Sequence, residues 1–357
     1  MKILVAMSGG VDSSVAAKIL KDEYGDCVGC TMKLYDDAFA DENACRTCCS
    51  ESDVFDAKSV AFSLGMPYYV FNFKDGFKEK VIDKFVASYL NGATPNPCID
   101  CNRYMKFEKL FERMVQLNCD YVATGHYARI EKDANGLFTL KKAVDATKDQ
   151  SYVLYSMTQY QLSHTLFPLG GLKKSQTRKI AEENGFINAQ KPDSQDICFV
   201  PHGDYSEIIR LYAPSAPKEG NFVDKNGEIL GKHKGYYSYT IGQRKGLGVA
   251  MSKRIFVTEI RPEKNEVVLG DEVDLFTYEI FVKDVNFISG IVPEKSFFCT
   301  VQTRYRGKEN SAEVTPFKDG FIVKFACPER APAVGQAAVF YDGEVVLGGG
   351  TIAKMPT

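Results

Sequence analysis

Residues 8–14 read Ser8-Gly9-Gly10-Val11-Asp12-Ser13-Ser14, between the apolar run Ile3-Leu4-Val5-Ala6-Met7 and a helical pattern. A buried strand, a glycine turn and a helix N-terminus together make an anion site, because the first helical N–H groups point outward and the helix dipole favours negative charge. Gly9 and Gly10 let the backbone approach a phosphate. Ser8, Ser13 and Ser14 add hydroxyl donors. Asp12 is the odd member, since a carboxylate beside a phosphate implies a cation between them, most often magnesium. The plainer reading is a capped strand-to-helix turn. The full string favours phosphate, and no Gly-Lys-[Ser/Thr] ends it, so it is not a Walker A loop.

Two further loops carry thiols. Cys98 and Cys101 lie in Thr94-Pro95-Asn96-Pro97-Cys98-Ile99-Asp100-Cys101-Asn102, just ahead of a helix whose start lowers a thiol pKa. Cys198 closes the polar loop Lys191-Pro192-Asp193-Ser194-Gln195-Asp196-Ile197-Cys198. Two loop cysteines beside a nucleotide loop suggest sulfur chemistry. Cys27 and Cys30 fall on opposite faces of a strand at 27–34, which makes them buried small hydrophobes rather than joint ligands. Cys119, Cys299 and Cys327 read the same way, inside strands.

Composition bounds the rest. The chain has 357 residues, 45% hydrophobic and 25% charged, with net charge −2, so it is a soluble globular protein of two or three domains and any nucleic-acid surface is local. Eleven cysteines without a secretory signal or membrane span point to a cytoplasmic protein with reduced thiols.

Strand-like and helix-like segments alternate in the first half. Strands are expected at 3–7, 27–34, 67–73 and 121–125, and helices at 13–23, 52–64, 75–90 and around Phe107, Leu110, Phe111, Met114 and Val115. A parallel sheet with helices on both faces follows, its ligands at the carboxyl ends of the strands. A hairpin is expected at 127–143 around Asn135-Gly136, and a helix at 174–184. Beyond residue 203 the texture becomes all-β, in two small domains divided near 270–280. Residues 225–264 carry nine Lys or Arg against three acids, with Tyr236, Tyr237 and Tyr239 interleaved as stacking faces for RNA. A solvated basic face is the plainer alternative.

The 8–14 string resembles the PP-loop of the ATP-pyrophosphatase superfamily. With the 94–102 loop, Thr124-Gly125-His126-Tyr127-Ala128-Arg129, Lys148-Asp149-Gln150-Ser151-Tyr152, the 191–199 loop, residues 240–248 and Leu347-Gly348-Gly349-Gly350, essentially the whole chain is similar to the bacterial tRNA-specific 2-thiouridylases. The resemblance implies an α/β PP-loop ATP-binding catalytic domain at 1–202, a central β-rich tRNA-binding domain at 203–272 and a C-terminal β-barrel at 273–357. It implies ATP held by Ala6, Met7, Ser8, Gly9, Gly10, Val11, Asp12, Ser13, Met32 and Gly125, with Mg2+. Asn96, Pro97 and Cys98 would line the target base, and His126, Lys148, Asp149, Gln150, Arg304, Tyr305 and Gln336 would touch tRNA. Cys101 would be the nucleophile and Cys198 the persulfide carrier. The implied reaction is that of a tRNA-uridine 2-sulfurtransferase acting on glutamate, glutamine and lysine tRNAs. A cysteine desulfurase or sulfur relay would supply the sulfur.

The chain departs from the pattern at Cys98, where many members have Asp, so the role of that position is open. The change leaves three cysteines that could hold an iron–sulfur cluster or zinc, with Cys45, Cys48 and Cys49 as further ligands; thiols without a metal are the favoured reading. Three rivals remain: a small-molecule ligase of the same superfamily, a metal-bearing RNA-binding protein with structural cysteines, and a 4-thiouridine-type thiolase. The 191–199 loop argues against the last.

Overall fold

The computed structural model describes residues 1–35, 51–193, 197–200, 203–249 and 253–356. Cys45, Cys48, Cys49 and residues 194–196 of the third loop lie outside them. Strands β1 (Ile3–Ala6), β2 (Cys27–Lys33), β3 (Tyr68–Asn72) and β4 (Tyr121–Ala123) belong to the first sheet. The hairpin β5 (Arg129–Lys132) and β6 (Phe138–Lys141) follows, then β7 (Thr165–Leu166). The first sheet runs β3-β2-β1-β4-β7, every pair parallel. Order reverses between β1 and β4, and the crevice at such a switch point is where α/β sheets bind ligands. Both the 8–14 string, after β1, and Gly125, after β4, open onto it.

The buried strands are apolar on both faces, as parallel strands covered by helices must be. Cys27 and Cys30 are both buried and belong to different core clusters, one on each side of β2. Cys119 is buried too, but it lies in the turn before β4 rather than in a strand. The helix expected at 75–90 runs as Lys74–Phe77, a wide-turned segment Lys78–Ile82, and Asp83–Leu90.

The second half holds β8 (Gly220–Val223), β9 (Ile229–His233), β10 (Phe256–Arg261) and β11 (Glu266–Gly270), paired in the order β10-β11-β8-β9. It is not all-β. The helix Tyr205–Tyr212 precedes these strands, capped by Asp204, whose carboxylate accepts from Ser206 N–H at 2.9 Å. Tyr205, Ile208, Ile209 and Tyr212 give it an i, i+3, i+4, i+7 face, a signal overlooked amid the strand-like texture. That face packs on the Asp83–Leu90 helix, with the Tyr89 and Tyr205 rings stacked 4.5 Å apart, so the first two domains share one core cluster.

The last six strands are β12 (Phe276–Phe287), β13 (Phe297–Gln302), β14 (Asn310–Phe317), β15 (Gly320–Arg330), β16 (Ala337–Asp342) and β17 (Val345–Ala353). They close into a barrel because β12 pairs with both β15 and β17. Cys299 is half-buried in β13, where burial pushes its thiol up to about 12, while Cys327 on β15 is exposed rather than buried. The hairpin at Asn135-Gly136 is present and has a second role. Its strand β6 pairs with β17, so a piece of the first domain extends the barrel sheet.

Candidate active site

The helix Val11–Tyr24 begins directly after Gly10, and its first i→i−4 bond runs from Ser14 N–H to Gly10 O at 3.3 Å. The N–H groups of residues 11–13 precede that bond, in the first turn where a helix has no internal acceptor for them. Ser8 N–H donates to Ser13 Oγ at 3.1 Å, and Ser13 and Ser14 hydroxyls both donate to Gly10 O, which fixes the loop. Gly9 has φ +74, and a Cβ there would lie 2.3 Å from Asp53 O. Gly125 is as constrained: its Cβ would meet Ser13 N at 2.8 Å. Met7 is tied to β2 through its N–H on Cys30 O and its carbonyl on the Thr31 hydroxyl. Met32, next to last in β2, is half-buried between two core clusters.

Behind the loop lies a charged network that sequence reasoning missed. Lys174 Nζ donates to both Asp12 oxygens at 2.7 and 2.8 Å and pairs with Asp193 at 2.7 Å. The Tyr127 hydroxyl donates to Asp12 at 2.9 Å. Asp193 also binds Lys148 at 2.8 Å and Arg178 at 2.9 Å. Burial works against its charge, but Lys148 and Lys174 hold its pKa below the usual carboxylate value. Lys191 spans Asp53 and Asp56, and Asn188 donates to Gly9 O at 2.9 Å and Ser14 Oγ at 2.8 Å. The fold thus sets the Lys174 ammonium beside Asp12. Lys174 had one signal in the sequence: it opens the helix Lys174–Glu183, where the dipole disfavours a cation unless acids compensate it.

Asn96 caps the next helix, its side chain accepting from Cys98 N–H at 3.1 Å, and Pro97 takes the first position. The helix continues from Pro97–Asp100 into a wide-turned segment, Cys101–Lys109, and then Leu110–Gln116. Such i→i+5 turns are rare and concentrate at functional sites. Cys98 is exposed, whereas Cys101 and Cys198 are half-buried and pack on the same core cluster, the one containing Phe77, Phe85 and Phe199. Tyr35 steadies the third loop by donating to Cys198 O at 2.7 Å. Among the described residues no group of three His, Cys, Asp or Glu side chains is arranged to hold a metal.

Family profiles match nearly the whole chain: a tRNA methyl transferase HUP domain at residues 1–202, a tRNA methyl transferase PRC-barrel domain at 207–271 and an aminomethyltransferase β-barrel domain at 277–352. The tRNA-specific 2-thiouridylase MnmA of Clostridium acetobutylicum is 50% identical over 353 residues, covering 98% of this chain and 99% of that one. Its namesake from Clostridioides difficile is 49% identical over 357 residues, covering 99% and 98%. This chain belongs to the tRNA-specific 2-thiouridylase family. Among solved structures, a 4-thiouridine synthetase–RNA complex with bound ATP aligns with 60% of this chain and 50% of its own at 17% identity and a TM-score of 0.35. NMN synthetase from Francisella tularensis covers 60% and 77% at 18% identity and a TM-score of 0.33. Likenesses that distant carry no argument about the site.

The residues that the 2-thiouridylase resemblance assigned to tRNA fall in two groups. Arg304 and Tyr305 are exposed on the barrel, the Tyr305 hydroxyl donating to Asp149 O at 3.5 Å. Gln336 donates to Thr94 O at 2.8 Å and so ties the barrel to the loop before Cys98. The others are more enclosed. Asp149 accepts from Ala143 N–H and the Ser151 hydroxyl, Gln150 accepts from Tyr127 N–H, and Lys148 is committed to Asp193. His126 is 6% exposed. The stacking expectation for Tyr236, Tyr237 and Tyr239 is overturned: all three are core residues, and the Tyr236 hydroxyl donates to Leu90 O at 2.7 Å. Aromatic rings in a small β domain fill its interior before they serve its surface. The lysines and arginines of 225–264 are exposed apart from Arg261, which is half-buried against Glu259.

Proposed function

We propose that this chain thiolates carbon 2 of the wobble uridine in tRNA, using ATP to activate the base and a cysteine persulfide as the sulfur source. The observation that carries this reading is that Cys101 and Cys198, about a hundred residues apart in the chain, pack on one core cluster while Lys191 reaches Gly9 O at 3.5 Å and Lys174 joins Asp193 to Asp12. The parts at work are the catalytic domain 1–202, a central domain 203–272 and the barrel 273–357.

Oxide is a poor leaving group, so the uridine oxygen first attacks the α-phosphate of ATP and pyrophosphate departs. The N–H groups of residues 11–13 and the Ser8 hydroxyl receive it, while the Ser13 and Ser14 hydroxyls, spent on Gly10 O, hold the loop in shape. Magnesium would enter with ATP, held mainly by phosphate oxygens, which suits an Asp12 already engaged by Lys174; it would offset phosphate charge. The outer sulfur of a Cys198 persulfide then attacks carbon 2, and AMP leaves. The Cys101 thiolate attacks the inner sulfur, the S–S bond breaks, thiouridine keeps the outer sulfur, and a Cys101–Cys198 disulfide remains for a dithiol to reduce. Asn96, Pro97 and Cys98 would meet the flipped base, and Arg304, Tyr305 and Gln336 the surrounding RNA. A desulfurase or relay protein would load Cys198. No helix among the described residues is long and apolar enough to cross a membrane, and a cytoplasmic setting suits a tRNA substrate.

The test is reconstitution with ATP, magnesium, a cysteine desulfurase with cysteine, reductant and unmodified glutamate tRNA, read by nucleoside mass spectrometry. The reading predicts 2-thiouridine and AMP together. A folded protein that forms no AMP with glutamate, glutamine or lysine tRNA would turn the assignment to a small-molecule ligase.

A further inference from the structure

Lys106 sits on the cysteine helix, five residues beyond Cys101 and inside the wide-turned segment Cys101–Lys109. An i→i+5 turn brings residues four and five apart onto one side, so Lys106 shares its side with Cys101 and Asn102. Its ammonium lies 3.3 Å from Nε2 of His126. An ammonium can only donate, so Nε2 accepts and the ring proton is on Nδ1. That proton goes to Thr124 Oγ1, 2.6 Å away. The buried Thr124 hydroxyl therefore keeps its own proton to give, and no side chain or carbonyl among the described residues takes it.

His126 is packed between Phe107 and Phe167, with ring centroids at 6.1 and 5.6 Å. Burial, and then the Lys106 charge, hold its pKa well below 6.5, so it is neutral. Lys106 is thus fixed by an uncharged partner, and no carboxylate among the described residues lies within ion-pair distance of it. Its neighbours differ: Lys84 is paired with Asp100 at 2.6 Å and Lys109 with Glu112 at 2.9 Å. The group also has a defined place. Gly125, between Thr124 and His126, is pressed against residues 12 and 13 of the nucleotide loop.

We propose that His126 and Thr124 hold Lys106 as an uncompensated cation for the α-phosphate group, first of ATP and then of the adenylated uridine. The inference rests on the adenylation chemistry above. A neutral imidazole suits the task, because a carboxylate in its place would cancel the charge and an imidazolium would repel it. Lys106 is then a residue that touches the reacting group, and His126, oriented from its far side by Thr124, is a positioning residue.

Three variants test this: Lys106→Met, Lys106→Arg and His126→Asn. The readouts are thermal melting, the dissociation constant of AMP measured by calorimetry without tRNA, and kcat and KM for ATP in tRNA-dependent AMP formation. Lys106→Met is expected to melt normally, to weaken AMP binding about tenfold and to lower kcat about 100-fold, the scale of losing one charge-stabilising donor. Lys106→Arg should recover part of both, and His126→Asn should show a smaller loss in both. Should Lys106→Met melt early, Lys106→Gln keeps a donor to His126 without the charge and carries the same test. Wild-type AMP affinity and kcat in a folded uncharged variant overturn the proposal. Failure of the wild type itself to form AMP overturns the adenylation reading instead, and the AMP affinities still decide whether Lys106 serves an anion.

Discussion

Lys174 grips both carboxylate oxygens of Asp12, at 2.7 and 2.8 Å, and reaches Asp193 with the same ammonium. One buried cation thus joins the loop that would hold pyrophosphate to the segment leading to Cys198. Removing one member of such a pair leaves uncompensated charge behind, which costs about 3 kcal/mol. Lys174→Met is expected to lose that much stability in urea unfolding and to bind ATP at least about tenfold more weakly. Unchanged ATP affinity would show that the Asp12 pair is structural only.

Gly9→Ala tests the cradle. The substitution forces a side chain into positive φ and against the carbonyl of Asp53, so it should cost about 2 kcal/mol and abolish ATP binding. Gly10→Ala is the contrast, because a Cβ there meets only Ser8 Oγ at 3.6 Å, and it should melt like the wild type. Equal melting temperatures for the two alanine variants would contradict the loop geometry.

His126 and His233 both titrate below 6.5 in the fold, each held down first by burial. Unfolded, they take protons near 6.5, so below that pH the unfolded chain binds protons that the fold refuses. Their contribution is complete above 6.5 and falls as the pH drops, by up to about 1.4 kcal/mol per unit for each. Asp100 and Asp149, raised by burial, act in the opposite sense at more acidic pH. Urea unfolding at pH 7.5, 6.5 and 5.5 should show stability declining, and His126→Asn with His233→Asn should flatten the decline. Equal slopes with and without the histidines would be a contradiction.

Strand β6 pairs with β17 and fully buries Leu140. A chain ending at residue 272 would expose that edge and the apolar face around it, and is expected to aggregate in size-exclusion chromatography. A monodisperse truncated chain would show that the barrel is a separable unit.

The sequence was most legible where local rules dominate. The 8–14 loop, the parallel strands, the Gly136 turn and the opposed faces of Cys27 and Cys30 all follow from spacing and backbone preference. Long-range pairing was illegible. Nothing local says that Lys174 lies on Asp12, that β6 joins a barrel two hundred residues on, or that Tyr236, Tyr237 and Tyr239 point inward. The Tyr205–Tyr212 helix was legible in principle, and the strand-rich texture around it hid the period. His126 alone reads as a core histidine, with only its place after Thr124-Gly125 favouring function; the fold buries it, and nothing local says that Lys106 lies on its ring.

The measurement that tests the account most directly is a single turnover without reductant. Protein carrying a Cys198 persulfide is mixed with ATP, magnesium and glutamate tRNA, then alkylated and mapped by mass spectrometry. The account predicts a Cys101–Cys198 disulfide appearing in step with 2-thiouridine, one for one. Thiolated tRNA with Cys101 and Cys198 both still open to alkylation would contradict it.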